Sequence, residues 1–425
     1  MDIIQFRREL HKYAEPSWHE VRTSARLAEE LAKLGYEPKL GLQAVDTEVM
    51  SKITRIPQEA READMARAVA QGADPAWVAR TGGVPGVVAE LNTGRPGPVI
   101  ALRFDIDALP YRESAAADYP PVREGYASVN DAVHACGHDG HTAIGMGLAA
   151  QLMECRDELC GKIRLLFQPS EEAPFGADSM VARGLLDDVD YFIAQHIAIS
   201  GENKPLPSGS FACGCDDFMS YTRLDVHFIG RAAHPCGASQ EGRNAILAAC
   251  AATLGIHSIA PHEDGLFRVN VGMISGGVVI NTIAPNATIS LEYRGQTDSI
   301  DEYARRRVME VLEGAAKMYG CTLQIDDLGW TCTAKSDRGL MNVLREAAEE
   351  TPWFTGRIFE LANVGGSDDA TVMMRRVQAH GGQATYFGLG ADTTDALHNE
   401  AFDFDEGCMA ASVEVCMRTV RKLCR

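Results

Sequence analysis

The chain lacks any long uninterrupted apolar segment. Nowhere do about 18 or more apolar residues follow one another, which is the length that a membrane-spanning helix requires. The first ten residues, Met1 to Leu10, mix charged and apolar side chains as an amphipathic helix does, and they lack the apolar centre of a secretory signal. We therefore predict no transmembrane helix and no secretory leader, and we expect a cytoplasmic protein.

The chain is also poor in basic charge. It has 40 Lys and Arg residues against 59 Asp and Glu residues, for a formal net charge of -19. A surface that binds nucleic acid must be basic to neutralise phosphates, and anionic membranes attract basic segments. The acidic balance thus argues against both partners. It does not exclude an anionic small molecule, because a few local basic residues can override the global sign.

Cysteine is plentiful but is not arranged as a disulfide framework. The twelve cysteines are scattered between Cys136 and Cys424 rather than set at short, regular intervals. Without a secretory signal, the simplest interpretation is a set of reduced thiols in a reducing compartment.

The length of 425 residues exceeds what one hydrophobic core usually supports, so two domains are expected. Helical periodicity runs over residues 2–34 and ends at Gly35, and an Ala-, Arg- and Glu-rich stretch at 44–81 looks like a helical insertion without an assigned role. Short apolar runs then alternate with helical pattern, which predicts an α/β domain whose central, mostly parallel sheet is covered on both faces. The predicted strands are 86–91, 98–104, 163–168 and 191–196, with a helix at 142–153.

A second pattern follows in the middle of the chain. Its predicted order is β-α-β-β-α-β, which is typical of a ferredoxin-like α+β domain. We therefore predict a discontinuous catalytic domain, residues 1–212 and 330–425, with an inserted lid or dimerisation domain at 213–329. The elements behind this prediction are strands at 219–229, 267–275, 287–294 and 321–326 and helices at 243–259 and 300–319.

Residues 134–141 read His-Ala-Cys-Gly-His-Asp-Gly-His and form the most informative stretch of the sequence. Cys136, His138 and His141 place one thiol and two imidazoles in a single glycine-containing turn. A lone histidine beside a cysteine is more often a core residue, but this density favours a divalent transition metal such as zinc, manganese or cobalt.

Two acidic residues, Glu171 and Glu172, follow a predicted buried strand directly. In sheet enzymes, ligands bind beyond the carboxyl ends of the strands. Adjacent carboxylates there point in different directions, so one can hold a metal while the other acts as a base towards water. Such a pair alone is more often a solvated loop. Asp105 and Asp107 also follow a strand, on one face of it, where they could orient ligands or cap a turn.

Six motifs occur in order and together resemble one family. They are Arg-Phe-Asp-Ile-Asp-Ala-Leu-Pro, His-Ala-Cys-Gly-His-Asp-Gly-His, Gln-Pro-Ser-Glu-Glu, Ala-Gln-His-Ile, Gly-Arg-Ala-Ala-His and Leu-His-Asn-Glu-Ala-Phe-Asp. Over nearly its whole length the chain resembles the aminoacylase and carboxypeptidase G class of metallopeptidases, in the amidohydrolase branch that uses a cysteine at the metal site.

The resemblance implies a dimetal centre and a catalytic group. Two divalent ions, manganese first and zinc second, would be held by five ligands. Glu171 would be the general base, and Asp107 would belong to the same catalytic group. The implied metal ligands are Cys136, His138, Glu172, His196 and His398.

The resemblance also implies roles in the inserted domain. His234 would reach a neighbouring active site across a dimer and stabilise an oxyanion. Asn270 and Arg294 would contact a substrate carboxylate, although Arg294 could equally be an exposed strand residue. Pro235 and Cys236 follow His234 where the family usually has small residues, which puts its reach in question. No departure removes a ligand, so an active enzyme is expected.

The implied reaction is hydrolysis of an amide whose nitrogen belongs to an amino acid. The first expectation is cleavage of p-aminobenzoyl-glutamate to p-aminobenzoate and glutamate. Two alternatives stay open: a hydrolase of other N-acyl amino acids, of the hippurate or auxin-conjugate type, and a subunit that is inactive without a paralogous partner. The chain is expected to form a homodimer, or a heterodimer with such a paralogue, through residues 213–329.

Overall fold

The computed structural model describes residues 1–50, 54–201, 204–354 and 356–424. They fall into two compact units. The first is discontinuous and includes Arg55–Asp217, and the second consists mainly of Phe218–Thr333. The predicted fold class, an α/β domain interrupted by an antiparallel α+β domain, is confirmed. Among the described residues, no helix combines the length and apolar character needed to cross a membrane.

The first unit is built on an eight-stranded sheet in the order β1-β2-β4-β3-β5-β14-β8-β13. Its central strands β4, β3, β5 and β14 run parallel to one another, as the near-continuous apolar runs of these strands predict. The strands are β1 Lys39–Leu40, β2 Val87–Asn92, β3 Val99–Asp105, β4 Lys162–Gln168, β5 Tyr191–Ile197, β8 Ser210–Cys215, β13 Arg357–Ala362 and β14 Gln383–Leu389, and a separate pair is formed by β6 Ser200–Gly201 and β7 Lys204–Pro205.

Helices accompany this sheet and contribute buried side chains to one extended apolar core. The longest of them are α6 and α12, and α6 packs against both α12 and β3. The helices of this unit are α1 Ile3–Lys12, α2 Val21–Lys33, α3 Gln58–Ala70, α4 Pro75–Thr81, α5 Pro120–Glu124, α6 His138–Glu154, α7 Gly176–Ala182, α10 Arg338–Glu349, α11 Ala370–Ala379 and α12 Gly407–Leu423.

The predicted helical stretch 2–34 is not one helix. It is interrupted between α1 and α2, where Pro16 cannot donate a backbone hydrogen bond and forms an isolated bridge with Ala108 instead. Trp18, two residues later, has a positive φ of 65°, which no α-helix accommodates. The apolar residues are spaced in the same way in both helices, so the turn between them could not be predicted from periodicity.

The stretch 44–81 contains two helices, α3 and α4, both packed on α2. A small apolar core forms between them from Val21, Ala25, Ala68, Ala73 and Val78. Residues 51–53 of the predicted insertion lie outside the described residues. Helices make up most of the remainder, as its composition predicts.

The second unit has the element order β9-α8-β10-β11-α9-β12, as predicted. Its four antiparallel strands lie in the order β10-β11-β9-β12, and the two helices share one apolar core with the sheet. The elements are β9 Tyr221–Ile229, α8 Ala245–His257, β10 Phe267–Gly276, β11 Asn286–Gly295, α9 Asp298–Tyr319 and β12 Thr322–Thr331.

Candidate metal centre

The polar residues of the sequence motifs meet at the carboxyl ends of three neighbouring strands. β4, β3 and β5 are adjacent and parallel, so their last residues, Gln168, Asp105 and Ile197, lie at the same edge of the sheet. The chain segments that leave these ends carry Asp107, Glu171 and Glu172. This edge is where parallel sheets place their binding sites.

The turn with Cys136 is brought to this edge by the start of α6. Gly137 has φ 80°, a conformation that L side chains rarely adopt, and the helix begins at His138. Further along the helix, a Cβ added to Gly145 would lie 2.7 Å from both Phe104 and Phe167. The missing side chain therefore lets α6 approach the sheet closely, which fixes Cys136 and His138 beside the strand ends.

Two imidazoles are held so that Nε2 of each carries a lone pair. His138 Nδ1 lies 3.0 Å from the Asp107 carbonyl and 3.1 Å from its carboxylate, and His196 Nδ1 donates to the carbonyl of Ile197. A hydrogen bond of this kind at Nδ1 fixes the tautomer of metal-binding histidines. Nε2 of His138 is buried and has no hydrogen-bond partner among the described residues.

The other sulfur and oxygen donors lie around these nitrogens. Cys136 Sγ is 3.4 Å from His196 Nε2, and Glu172 Oε1 is 3.1 Å from His398 Nε2. Among the described residues, five groups have donor atoms within 4.8 Å of one another; three of them consist of predicted ligands and Glu171, and Cys136 and Glu172 each belong to two of these three. The three groups are Cys136–His138–His196, Cys136–Glu172–His398 and His138–Glu171–Glu172.

The buried thiol and carboxylates of this cluster favour a bound cation. Burial, together with the carboxylates of Glu172 and Glu171, raises the pKa of the Cys136 thiol well above its usual value. Burial and repulsion from Asp368 and Glu172 likewise raise the pKa of Glu171. Divalent cations would relieve this repulsion and stabilise the thiolate. Sulfur, imidazole and carboxylate donors around an orphaned Nε2 therefore fit a dimetal site.

The remaining histidines of the motif do not offer free donors in the same way. His141 is engaged through both ring nitrogens, with Nδ1 2.6 Å from Asp105 Oδ1 and Nε2 accepting the Ile197 amide at 2.9 Å. It supports the strand ends rather than a metal. His134 is 2% exposed, and burial lowers its pKa to about 3, so it is a neutral core residue.

A buried ion network beneath the cluster was not predicted from the sequence. Arg103 is fully buried and contacts Asp105 at 2.6 Å, Asp369 at 3.0 Å and Gln168 at 2.8 Å. Its guanidinium partly balances the carboxylates that surround the site, and it joins β3 to the start of α11. The only sequence feature that indicated this network was an arginine in the otherwise apolar strand β3. Its partners could not be predicted because they are spread over distant parts of the sequence.

Backbone strain is concentrated near the same residues. Among the described residues, five non-glycine residues have a positive φ, and four of them are Ser170 (57°), Phe175 (74°), Ala198 (60°) and His398 (65°). Ser170 precedes Glu171, Ala198 follows the strand of His196, and His398 is itself a predicted ligand. Such conformations persist where the surrounding structure holds them, and they cluster at functional sites.

The predicted residues of the second unit lie on its surface. His234 is exposed, and its Nδ1 accepts the amides of Cys236 at 3.2 Å and Gly237 at 3.0 Å. Because Nδ1 is an acceptor in both bonds, the ring proton is on Nε2, which can donate outward. Pro235 and Cys236 thus belong to a turn that fixes this imidazole.

Asn270 and Arg294 share one face of the second sheet. Asn270 pairs with Glu292 and Arg268 pairs with Arg294 across β10 and β11, and Arg223 stands opposite Glu292 on β9. Arg223 and Arg294 each donate to Glu292, at 2.8 and 2.7 Å. Three arginines stand around Glu292 at one end of this face, and Asp225 and Asp326 lie further along the same face on β9 and β12.

A family model, that of peptidase family M20/M25/M40, matches residues 101–422 of the chain. The chain is 45% identical to an indole-3-acetyl-aspartic acid hydrolase of Enterobacter agglomerans, over 97% of this chain and 94% of that protein. It is 43% identical to one of the p-aminobenzoyl-glutamate hydrolase subunits of Escherichia coli, over 98% of this chain and 94% of that protein.

A solved structure resembles the whole chain as well. It is an aminobenzoyl-glutamate utilization protein from Klebsiella pneumoniae, 37% identical, with a TM-score of 0.80 over 99% of this chain and 95% of that one. The similarity thus includes the stretch 44–81 and the second unit as well as the metal-site motifs.

Proposed function

The chain belongs to peptidase family M20/M25/M40, and from this membership we propose that it is a metal-dependent amidohydrolase of N-acyl amino acids whose first candidate substrate is p-aminobenzoyl-glutamate. The observation that carries the proposal is the cluster of Cys136, His138, Glu172, His196 and His398 at the sheet edge, with Glu171 beside it.

We propose that these five residues hold two divalent ions, manganese first and zinc as the alternative. When bound, such ions acidify water and polarise the amide carbonyl. Asp107 keeps the His138 imidazole in the tautomer that ligation needs, since it accepts from Nδ1. A free Cys136 thiol suits a reducing compartment such as the cytoplasm, and none of the twelve cysteines, all of which lie within the described residues, forms a disulfide bond.

Glu171 moves the proton in the proposed reaction. Its carboxylate lies 3.8 Å from His138 Nε2, so it borders the donor cluster and can accept a proton from the attacking water. It then delivers that proton to the departing amide nitrogen. Burial and the nearby carboxylates raise its pKa, and bound cations would offset part of this effect. Across a dimer, we propose His234 Nε2 as a further hydrogen-bond donor to the oxyanion in the neighbouring copy's active site.

The proposed substrate class is an aromatic acyl group on an acidic amino acid. The names of two relatives, one acting on indole-3-acetyl-aspartic acid and one on p-aminobenzoyl-glutamate, share this chemistry. The arginines around Glu292, on the sheet face with Arg294 and Asn270, support it, since guanidinium groups bind carboxylates in a bidentate way. Indole-3-acetyl-aspartate is the second candidate because the relative with that name is 45% identical to the chain.

Hydrolysis by the purified, manganese-loaded chain tests the proposal. Release of glutamate from p-aminobenzoyl-glutamate is expected, with indole-3-acetyl-aspartate and hippurate assayed in parallel. Preferential release of aspartate would favour the second candidate. Turnover only after a paralogous chain is added would show an obligatory heterodimer. No turnover of any N-acyl amino acid, alone or with the paralogue, would refute the proposal.

We also propose that the chain associates through the β10 edge of the second unit. β10 ends one side of its sheet, and the edge and the following loop expose Met273, Ile274, Val278, Val279 and Ile280, the last of them completely. Exposed apolar edge strands are templates for pairing with another chain. We propose that a second copy of this chain pairs with this edge.

Substituting Met273→Lys together with Ile280→Asp is expected to convert the dimer to a monomer, because the charges would be buried on association. Sedimentation velocity of the full-length protein measures this. Met318→Lys, at an exposed position on α9, is the matched control and should leave the dimer intact. A double variant that still sediments as a dimer would place the interface elsewhere.

A further inference from the structure

We propose that the turn between α1 and α2, residues 17–20, positions the loop 169–175 that carries Glu171 and Glu172, with Trp18 and Glu20 as the positioning residues. This inference rests on the proposed function, in which that loop supplies the base and one metal ligand. Two hydrogen bonds reach from the turn to opposite ends of the loop, and a third joins the turn to Asp107.

The first contact is at the start of the loop. The carboxyl group of Glu20 accepts the backbone N–H of Ser170 at 2.7 Å, and Glu20 is fully buried. Ser170 has φ 57°, so its backbone is in a conformation that is unfavourable for a residue with a side chain. Glu20 therefore stabilises the strained residue that immediately precedes Glu171.

The second contact is at the end of the loop. The indole N–H of Trp18 donates to the carbonyl of Pro174 at 3.0 Å, and the side chain is 5% exposed. The next residue, Phe175, has φ 74° and begins the turn into α7. Trp18 has a positive φ itself, at 65°. Both strained ends of the loop are thus held by one short segment.

The third contact links the turn to the predicted ligands through Asp107. Ser17 Oγ donates to Asp107 Oδ2 at 2.6 Å, and the same oxygen accepts the Glu172 amide at 3.0 Å. The other oxygen of Asp107 faces His138 Nδ1. A shift of the turn would therefore move Glu172 and loosen the orientation of His138 together.

The turn is itself braced by the helical stretch 44–81. Arg67 on α3 donates to the carbonyl of His19 at 2.9 Å and pairs with Glu15 at 2.8 Å. Asp64, also on α3, lies 2.6 Å from His19 Nδ1. These contacts hold the turn from the side away from the loop. They give this stretch, whose sequence indicated no role, a structural connection to the catalytic loop.

Glu20 acts in this arrangement as a hydrogen-bond acceptor. Burial raises the pKa of Glu20 well above its usual value, and the nearby carboxylate of Asp107 raises it further. A protonated carboxyl group accepts the Ser170 amide without adding negative charge to an acidic site. Glutamine has the same shape and can make the same bond, so Glu20→Gln should preserve the function that Glu20→Ala removes.

The experiment compares four variants of the full-length, manganese-loaded protein: Trp18→Phe, Glu20→Ala, Glu20→Gln and Trp77→Phe. Trp77 is partly buried on α4 and packs on Arg80, so its substitution is the matched control. The readouts are kcat and KM on whichever conjugate the wild type hydrolyses, manganese affinity by calorimetry without substrate, and thermal unfolding to confirm that each variant is folded.

For Trp18→Phe and Glu20→Ala we expect kcat and manganese affinity to fall about tenfold, the usual effect of losing a group that orients ligands. KM should stay within about twofold, because substrate contacts are not removed. Glu20→Gln and Trp77→Phe should match the wild type. Trp18→Phe keeps an aromatic ring and loses the indole N–H, so it reports on the contact even if Glu20→Ala unfolds.

Wild-type kcat and manganese affinity in both Trp18→Phe and Glu20→Ala would overturn the inference. So would a change in KM alone, or a Glu20→Gln variant as impaired as Glu20→Ala. If the wild type hydrolyses no N-acyl amino acid, alone or with a paralogous chain, the proposed function fails, and the manganese affinities of the same variants still decide whether the turn positions the loop.

Discussion

Glu171→Gln is expected to lower kcat by roughly 10²–10⁴-fold, the range that a general acid–base group contributes. Glutamine keeps the volume of the side chain but cannot accept a proton from water or pass one to the leaving nitrogen. Because Glu171 is not one of the five proposed ligands, the variant should still bind two ions. Steady-state kinetics and metal analysis by mass spectrometry, on the same preparation, measure the two effects.

The neighbouring residue provides the comparison. Glu172→Gln removes a carboxylate that lies 3.1 Å from His398 Nε2, so it should lower the metal content as well as the rate. The assignment of roles predicts this difference between two adjacent, half-buried glutamates. Near wild-type turnover by metal-loaded Glu171→Gln would show that another group is the base. If Glu171→Gln loses metal and Glu172→Gln does not, Glu171 would be the metal ligand and Glu172 the base.

Cys136→Ala is expected to weaken metal binding by at least about 10–100-fold, since losing a ligand costs no less than losing a group that orients one. Its sulfur belongs to two of the three donor groups, and it is 3.4 Å from His196 Nε2. Activity at limiting manganese should fall in parallel. Titration calorimetry with manganese, followed by activity at increasing metal concentration, tests both statements.

Cys213→Ala is the matched control. Cys213 is buried on β8 in the apolar core of the same unit and belongs to none of the donor groups. The control should keep wild-type manganese affinity and kcat, with only a modest loss of stability from the small cavity. If Cys136→Ala binds two ions as tightly as the wild type, the thiolate is not a ligand.

Short-range pattern predicted most of the individual elements. The apolar runs that became β3, β4 and β5 are buried in a parallel sheet, and such strands have a local signature that needs no tertiary information. The order of elements in the second unit was predicted for the same reason. Periodicity failed at Pro16 and Trp18, because the same apolar spacing continued on both sides of a turn.

The sequence by itself determined where the central strands end and predicted which residues would carry the chemistry, since Cys136, His138, Glu171 and Glu172 stand in compact motifs. Only the tertiary structure decided what holds them. The Arg103 network and the contacts of Trp18 and Glu20 join positions more than one hundred residues apart, and their partners are single buried side chains or backbone groups without a local pattern. Because these groups are buried, losing one of their hydrogen bonds would cost free energy of folding. Burial is a property of the folded chain, so it cannot be predicted from neighbouring residues in the sequence.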